Sequence, residues 1–424
     1  MIPPPVDHMK SSEPANNEAA SLAGSVFSRF PSSGPMIAWL IAITAVKAAL
    51  AARWGFTMDI PQTFAQGNAF LHHADWLDPA ATGGNPSFFP VGHYLIAAAC
   101  VRMSQWTGLP FAWLVKLPAI LADLAVALQL RALPRAGPVA SRYSEWAGNR
   151  AALLYMLNPV TFVLSVYHGQ LHTVAMAGAV VALAIAADHA IFAGVILGLS
   201  ASIRQHFGVL LWPLALTTRR RGPMIAAFTL TALLVNWPLI LSARPARLLA
   251  PTWTYGSWGY TMILLQGPRV LSLLGWPYSA TLARGINHLL ASWGSSIYWI
   301  WAATFAWWTW RRRAAHDVWY LALTFLLGLY ALSPGFGVQW LVWVVPFWII
   351  VSPSSAMRYS VLAGAFLLGS YWQWSLNERL GVRSLTENLS VLPPPILAGV
   401  LLVGALGFAT WLYVTRATWR LMRA

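Results

Sequence analysis

Cysteine is almost missing from this chain of 424 residues. Cys100 stands alone, so no intramolecular disulfide and no cysteine-based metal site is available. Charge is scarce too. Charged residues make up 9% of the chain and acidic residues number only twelve, against about 25% charged in an ordinary soluble domain. A soluble globule is thereby excluded. No Gly-rich phosphate loop occurs, which removes the usual nucleotide-binding turns. No cleavable leader is legible either, because the first apolar run lies too deep and lacks a small-residue cleavage site.

Hydrophobicity fills the gap. The chain is 58% hydrophobic, and apolar runs of roughly 18 residues or more recur along nearly its whole length. That pattern predicts an all-α, polytopic transmembrane helix bundle of about 11–12 membrane segments with outward-facing loops. Twenty-five Trp and thirteen Tyr suit aromatic belts at the two interfaces. The net charge of +15 comes from arginines in short loops. It reads as retention on the cytoplasmic side rather than as attraction to nucleic acid.

Residues 1–35, rich in Pro, Ser, Asn and Ala, read as a disordered cytoplasmic tail. Residues 36–424 read as one membrane domain. Its first span, about Met36 to Trp54, carries Lys47, which needs a partner or a short snorkel. A first outer loop of about 55–87 follows, free of Lys and Arg. Two full crossings after it would leave the arginines of 131–150 outside, so Phe88–Gln105 is not expected to be a simple span. Ile191–Leu216 is long and apolar but holds Arg204, Gln205 and His206 at its middle. A pair of half-helices turning at Arg204 satisfies both the buried polar triplet and the charge rule.

With those two interruptions the polar residues fall on one side. Asp59, His168, Gln170, His172, the Trp253–Tyr260 loop and Gln339 all project to the outer face. His168 and His172 stand at helical i,i+4 spacing, but a third ligand is lacking. Hydrogen bonding to a sugar or phosphate suits them better than a metal. Arg204, with His206 beside it, suits a lipid phosphate gripped bidentately, the alternative being a structural pair with Asp188 or Asp123. Lys116 is a further phosphate candidate. Asp123 reads as structural glue.

Several motifs occur together and in order. The Asp59 loop follows the first span, and Lys-Leu-Pro-Ala-Ile-Leu-Ala-Asp occupies 116–123. Leu157-Asn-Pro159 precedes His168-Gly-Gln170, and Ser333-Pro-Gly-Phe-Gly-Val-Gln339-Trp-Leu-Val-Trp343 comes later. From about residue 36 to 350 the chain resembles the integral-membrane glycosyltransferases of the GT-C superfamily. It looks most like their bacterial, mannosyltransferase-like branch that uses polyprenyl-phosphate sugars. The resemblance implies Asp59 as general base and a basic residue on the lipid phosphate: Arg204, His206 or Lys116. His168, Gln170, His172 and Gln339 would then contact sugar or acceptor. The implied partners are a polyprenyl-phosphate sugar donor, a lipid or glycan acceptor and membrane lipids, with no cofactor, no metal and no nucleic acid. The implied location is the bacterial cytoplasmic membrane, with the site facing outward. Two departures stand out. Many relatives carry Trp-Gly-Gln with an Asp two residues on, where this chain has His168-Gly-Gln170-Leu-His172, and they often place Lys where it has Arg204.

The chemistry is self-consistent: a sugar on a lipid monophosphate is already activated, and direct displacement with a base on the acceptor hydroxyl inverts the anomeric centre. Two readings compete: a transporter or flippase of lipid-linked sugars, and a noncatalytic assembly subunit of a cell-envelope complex. Broken helices and interior charges fit a transporter equally well.

Overall fold

The computed structural model describes residues 33–56, 59–72, 76, 78, 89–133, 148–241, 259–260, 267, 269–276, 280–312, 317–333, 335–382, 384–385 and 389–423. Among them the chain is a polytopic bundle of α-helices with no strand element. Four helical stretches are long and apolar enough to cross a membrane: Gly34–Ala51, Phe111–Ala132, Arg221–Leu241 and Pro394–Arg423. A bent pair, Asn149–Met156 with Pro159–His168, turns by 48° and makes a fifth. Shorter apolar helices pack among them. The expected tail, apart from residues 33–35, which open the first helix, and most of the Leu71–Pro86 and Trp253–Tyr260 loops lie outside the described residues.

The first helix, α1 (Ser33–Ala51), is continuous because nothing in its run competes with helical hydrogen bonding. Its Lys47 is fully buried and finds its partner on the helix Leu117–Ala132, where Lys47 Nζ lies 2.7 Å from Asp123 Oδ2. The Tyr155 hydroxyl donates to the other oxygen, Asp123 Oδ1, at 2.9 Å. In an apolar surround these bonds satisfy charges that would otherwise be costly, and they tie three segments together. Asp123 is therefore committed to Lys47 and Tyr155.

Helix α2 (Asp59–Leu71) follows, then α3 (Val91–Thr107) and the short α4 (Phe111–Leu114). Pro118 stands in the first turn of α5 (Leu117–Ala132), where its missing N–H has no intrahelical role. The bent pair is α6 (Asn149–Met156) and α7 (Pro159–Val163). Its break has a local cause. Pro159 cannot continue the ladder, and Asn158 caps the new start by accepting from Val160 N at 3.0 Å. Asn158 Nδ2 also donates to Ser360 Oγ at 2.6 Å, which holds the bend against a later helix.

The long apolar stretch after residue 190 does break beside Arg204. Helix α8 (His172–Ile185) is followed by α9 (Ala190–Ala201), which stops short of Arg204, itself extended at φ −143°. A tight 3-10 turn (Gln205–Leu210) leads into α10 (Leu211–Thr217) and then α11 (Arg221–Leu241). Neighbours repair the interruption. Gly92 N donates to Ser202 O at 2.8 Å, and Asn236 Nδ2 donates to Ser202 Oγ at 2.9 Å. Asn236 Oδ1 in turn accepts from Val91 N at 3.0 Å, so the start of α3 is seated on the break. A Cβ on Gly92 would fall 2.5 Å from Ser202 O, which only glycine avoids.

The remaining helices are α12 (Ala280–Arg312), α13 (Val318–Leu332), α14 (Val345–Val351), α15 (Pro353–Arg379) and α16 (Pro394–Arg423). Helix α13, the 3-10 turn Val338–Val342 and α14 form the most deeply buried wall, with Trp343 wholly enclosed. One hydrophobic cluster runs from Met36 to Val414, so both ends of the described chain share a core.

Candidate functional site

Asp59 opens α2 directly after the exit from the first span, and its backbone oxygen accepts from Thr63 Oγ at 2.8 Å. The preceding residues are pinned to the second half of the bent pair, since Phe56 N donates to Tyr167 O at 2.9 Å. There α7 widens into a π-helical turn over Leu164–His168, closed by Gly169 at φ +72°. A π turn projects its side chains differently from an α turn, and such turns recur at functional sites. Here it turns His168 toward Asp59, with Nε2 3.1 Å from Oδ2. Gln170 Nε2 donates to the same oxygen at 2.5 Å. The Asp59 side chain keeps about a quarter of its surface open (25%), whereas His168 is closed off. Burial pushes the Asp59 carboxyl up. The His168 charge and contact, the Gln170 amide and the field of Arg204 outweigh that and hold it below its ordinary value.

Arg204 lies behind this pair, 1% exposed. Its Nη2 donates to Gln170 Oε1 at 3.5 Å, so the Gln170 amide bridges guanidinium and carboxylate. Its Nε donates to His172 Nδ1 at 3.2 Å, and Nη1 lies 3.3 Å from His93 Nδ1. The Phe89 ring covers the cation at 3.9 Å. A guanidinium only donates, so both histidines must turn a lone pair toward it. That fixes their tautomers. His93 carries its proton on Nε2, 3.0 Å from Gln66 Oε1. His172 accepts a second bond at Nδ1 from Trp343 Nε1 at 3.2 Å and so carries its proton on Nε2. His172 Nε2 and Thr173 Oγ are buried and have no hydrogen-bond partner among the described residues. Buried donors of that kind mark a place where a ligand or water belongs.

The structure thus gathers Asp59, His168, Gln170, His172 and Arg204 into one polar cluster. Lys116 has a different position. Its ammonium donates to Ala51 O at 2.8 Å and to Trp54 O, satisfying carbonyls left open at the end of α1. Its stem runs beside Gly169, where a Cβ would meet Lys116 Cγ at 2.7 Å. Lys116 therefore braces the two chain segments that present Asp59 and Gln170. His206 packs beside the stacked rings of Trp340 (4.8 Å) and Trp343 (5.1 Å). Gln339 is buried on the same aromatic turn, with its side chain folded over Gly337. Among the described residues no three His, Cys, Asp or Glu side chains converge as a metal site.

His93, Gln66, Phe89 and Trp343 complete the cluster without having been singled out from the sequence. For His93 the usable signal was a polar residue in the apolar start of its helix; Gln66, in a helix with several other polar residues, offered none.

Residues 81–275 match the family model of the GPI transamidase subunit PIG-U. The PIG-U-like segment contains His93, Lys116, Asp123, His168, Gln170, His172, Arg204 and His206; Asp59, Gln339 and Trp343 fall outside it. No curated protein and no solved structure matches the chain.

Proposed function

We propose that this protein is a noncatalytic subunit of a membrane complex, in which it holds the phosphorylated head of a lipid-linked glycan. The observation that carries this reading is the distribution of the cluster. Its cation and histidine donors lie within the segment similar to a GPI transamidase subunit, while the one carboxylate suited to base catalysis lies outside it. Arg204 supplies a fixed positive charge, and His172 Nε2–H and Thr173 Oγ–H are donors still open to a ligand oxygen. Partner subunits would then supply any chemistry. Purified full-length protein should bind a radiolabelled polyprenyl-phosphate mannose or a GPI glycolipid. Loss of one charge-assisted contact in Arg204→Gln should weaken that binding by roughly 30-fold or more. Equal binding by wild type and variant would remove the phosphate from this site.

A second reading has one observation in its favour. Asp59 is partly open, ionised, and aligned by Gln170 and His168, as a general base would be. On that reading the chain is a GT-C-like glycosyltransferase. It would move a mannose-like sugar from a polyprenyl-phosphate donor to a lipid or glycan acceptor at the outer face of a bacterial cytoplasmic membrane.

A further inference from the structure

At the arginine-rich face the helix ends are not level. The Tyr320 hydroxyl, near the start of α13, donates to Leu421 O at 2.5 Å, close to the end of α16. The first turn of α15 meets α16 earlier, where the Tyr413 hydroxyl donates to Ser355 O at 3.1 Å. Positions 413 and 421 stand about 12 Å apart along α16. The turn that joins α14 to α15 is therefore set back by that depth. It makes the floor of a recess, and the end of α16 makes a wall.

Two cations from different helices converge on that floor. Arg358 follows Ser355 by one turn of α15, and Arg420 follows Tyr413 by two turns of α16. The helices run antiparallel, since Gly369 packs on Val403 and Gly399 on Trp372. Side chains lean toward the N-terminus of their own helix, so these two lean toward each other, and both charges reach the Tyr413 hydroxyl. Both arginines are exposed. Tyr413 gives its proton to Ser355 O, so it fixes the floor and does not bond an anion itself. Like charges held at one point repel, and a phosphate between two guanidiniums relieves this with bidentate bonds.

The surroundings say which phosphate. On the bilayer side, Val361 (65% exposed) and Leu412 (46%) present apolar surface beside the recess. On the other side Trp419 is 57% exposed, and Arg423 lies over its ring at 4.2 Å, a pairing suited to headgroup depth. A phosphate carried on hydrocarbon chains matches that boundary.

We propose that Arg358 and Arg420 hold the phosphate of an anionic phospholipid from the leaflet on the arginine-rich face. The site is separate from the Asp59–Arg204 cluster. Tyr371, the α15 residue that packs on His168, stands about 20 Å along the helix from Arg358. The function proposed above is not needed for it.

The test is equilibrium titration of the purified full-length protein in neutral detergent micelles with phosphatidylglycerol, phosphatidylcholine and inorganic phosphate. Phosphatidylglycerol should bind roughly tenfold or more tighter than either of the others. Arg358→Gln and Arg420→Gln should each weaken it about fivefold. Arg358→Lys, which keeps charge and fold but loses the planar fork, should weaken it about threefold. Arg311→Gln removes the same charge from the same face and should change it by less than about twofold. An equal loss in Arg311→Gln would overturn the site in favour of general attraction to a basic face. A loss confined to Arg204→Gln would assign the lipid to the other cluster and overturn this one. Equal affinity for phosphatidylcholine would overturn the requirement for an anionic lipid, and equal affinity for inorganic phosphate would overturn the lipid source.

Discussion

The Gln170 amide donates to Asp59 Oδ2 at 2.5 Å while its carbonyl end accepts from Arg204. One neutral side chain thus holds a carboxylate and a guanidinium in fixed relation without letting them collapse into a direct pair. The arrangement leaves the Asp59 carboxylate partly open. Substituting Gln170→Leu, similar in size but apolar, should release both ends. Glycolipid binding should fall by roughly tenfold, with the thermal midpoint changed by only a few degrees. Equilibrium binding together with a thermal scan checks this.

The Lys47–Asp123 pair should behave as buried ion pairs do when one member is removed. Lys47→Met alone leaves an uncompensated carboxylate in an apolar interior and should destabilise the fold by about 3 kcal/mol. The double variant Lys47→Met with Asp123→Leu should recover most of that loss. Chemical denaturation in detergent micelles measures both.

Lys116 predicts a local effect. Lys116→Met removes the donors from the Ala51 and Trp54 carbonyls and should cost about 1–3 kcal/mol. It should also loosen the exit that leads to Asp59. Gly169→Ala attacks the same junction from the other side, with a Cβ 2.7 Å from Lys116 Cγ and a φ of +72°. Proteolysis at the Gly55–Asp59 exit should accelerate in both variants while cleavage elsewhere is unchanged.

A pH dependence follows from Asp59. Its carboxyl is held below the ordinary value, so the folded state favours the ionised form. The sign is that of a depressed carboxylate: the stabilisation is complete above the unfolded value, near 3.8, and is lost as pH falls through the lower folded value. Thermal stability of the wild type should therefore drop more steeply below about pH 4 than that of Asp59→Asn. Parallel slopes would place the acid sensitivity elsewhere.

Much of this was legible in the sequence, for identifiable reasons. A helical membrane bundle follows from apolar runs, which are read by composition alone. The break at Arg204 was legible because a guanidinium cannot be left in hydrocarbon and a run that long has to be interrupted for it. Lys47 announced its need for a partner on the same logic. What stayed hidden was who meets whom. The partner of Lys47 sits 76 residues away, and the carbonyls capped by Lys116 are more than 60 residues upstream. Such contacts depend on helix rotation and tilt, which hydropathy does not encode. His93 lies in the segment Phe88–Gln105, which the sequence marks only as an incomplete span. Its role emerges where α3 is seated on the α9 break, through Gly92 and Asn236. The motif order suggested a polyprenyl-phosphate-sugar enzyme, and residues 81–275 match the family model of a GPI transamidase subunit. Shared membrane architecture does not fix chemistry.

The measurement that bears most directly on the central claim follows the fate of the sugar. Purified full-length protein would be incubated with radiolabelled polyprenyl-phosphate mannose and a lipid and glycan extract, wild type beside Asp59→Asn. A noncatalytic holder predicts that the label stays on the intact donor in both, bound through Arg204. Transfer to an acceptor by the wild type, abolished in a folded Asp59→Asn, would contradict that account and make Asp59 a catalytic base.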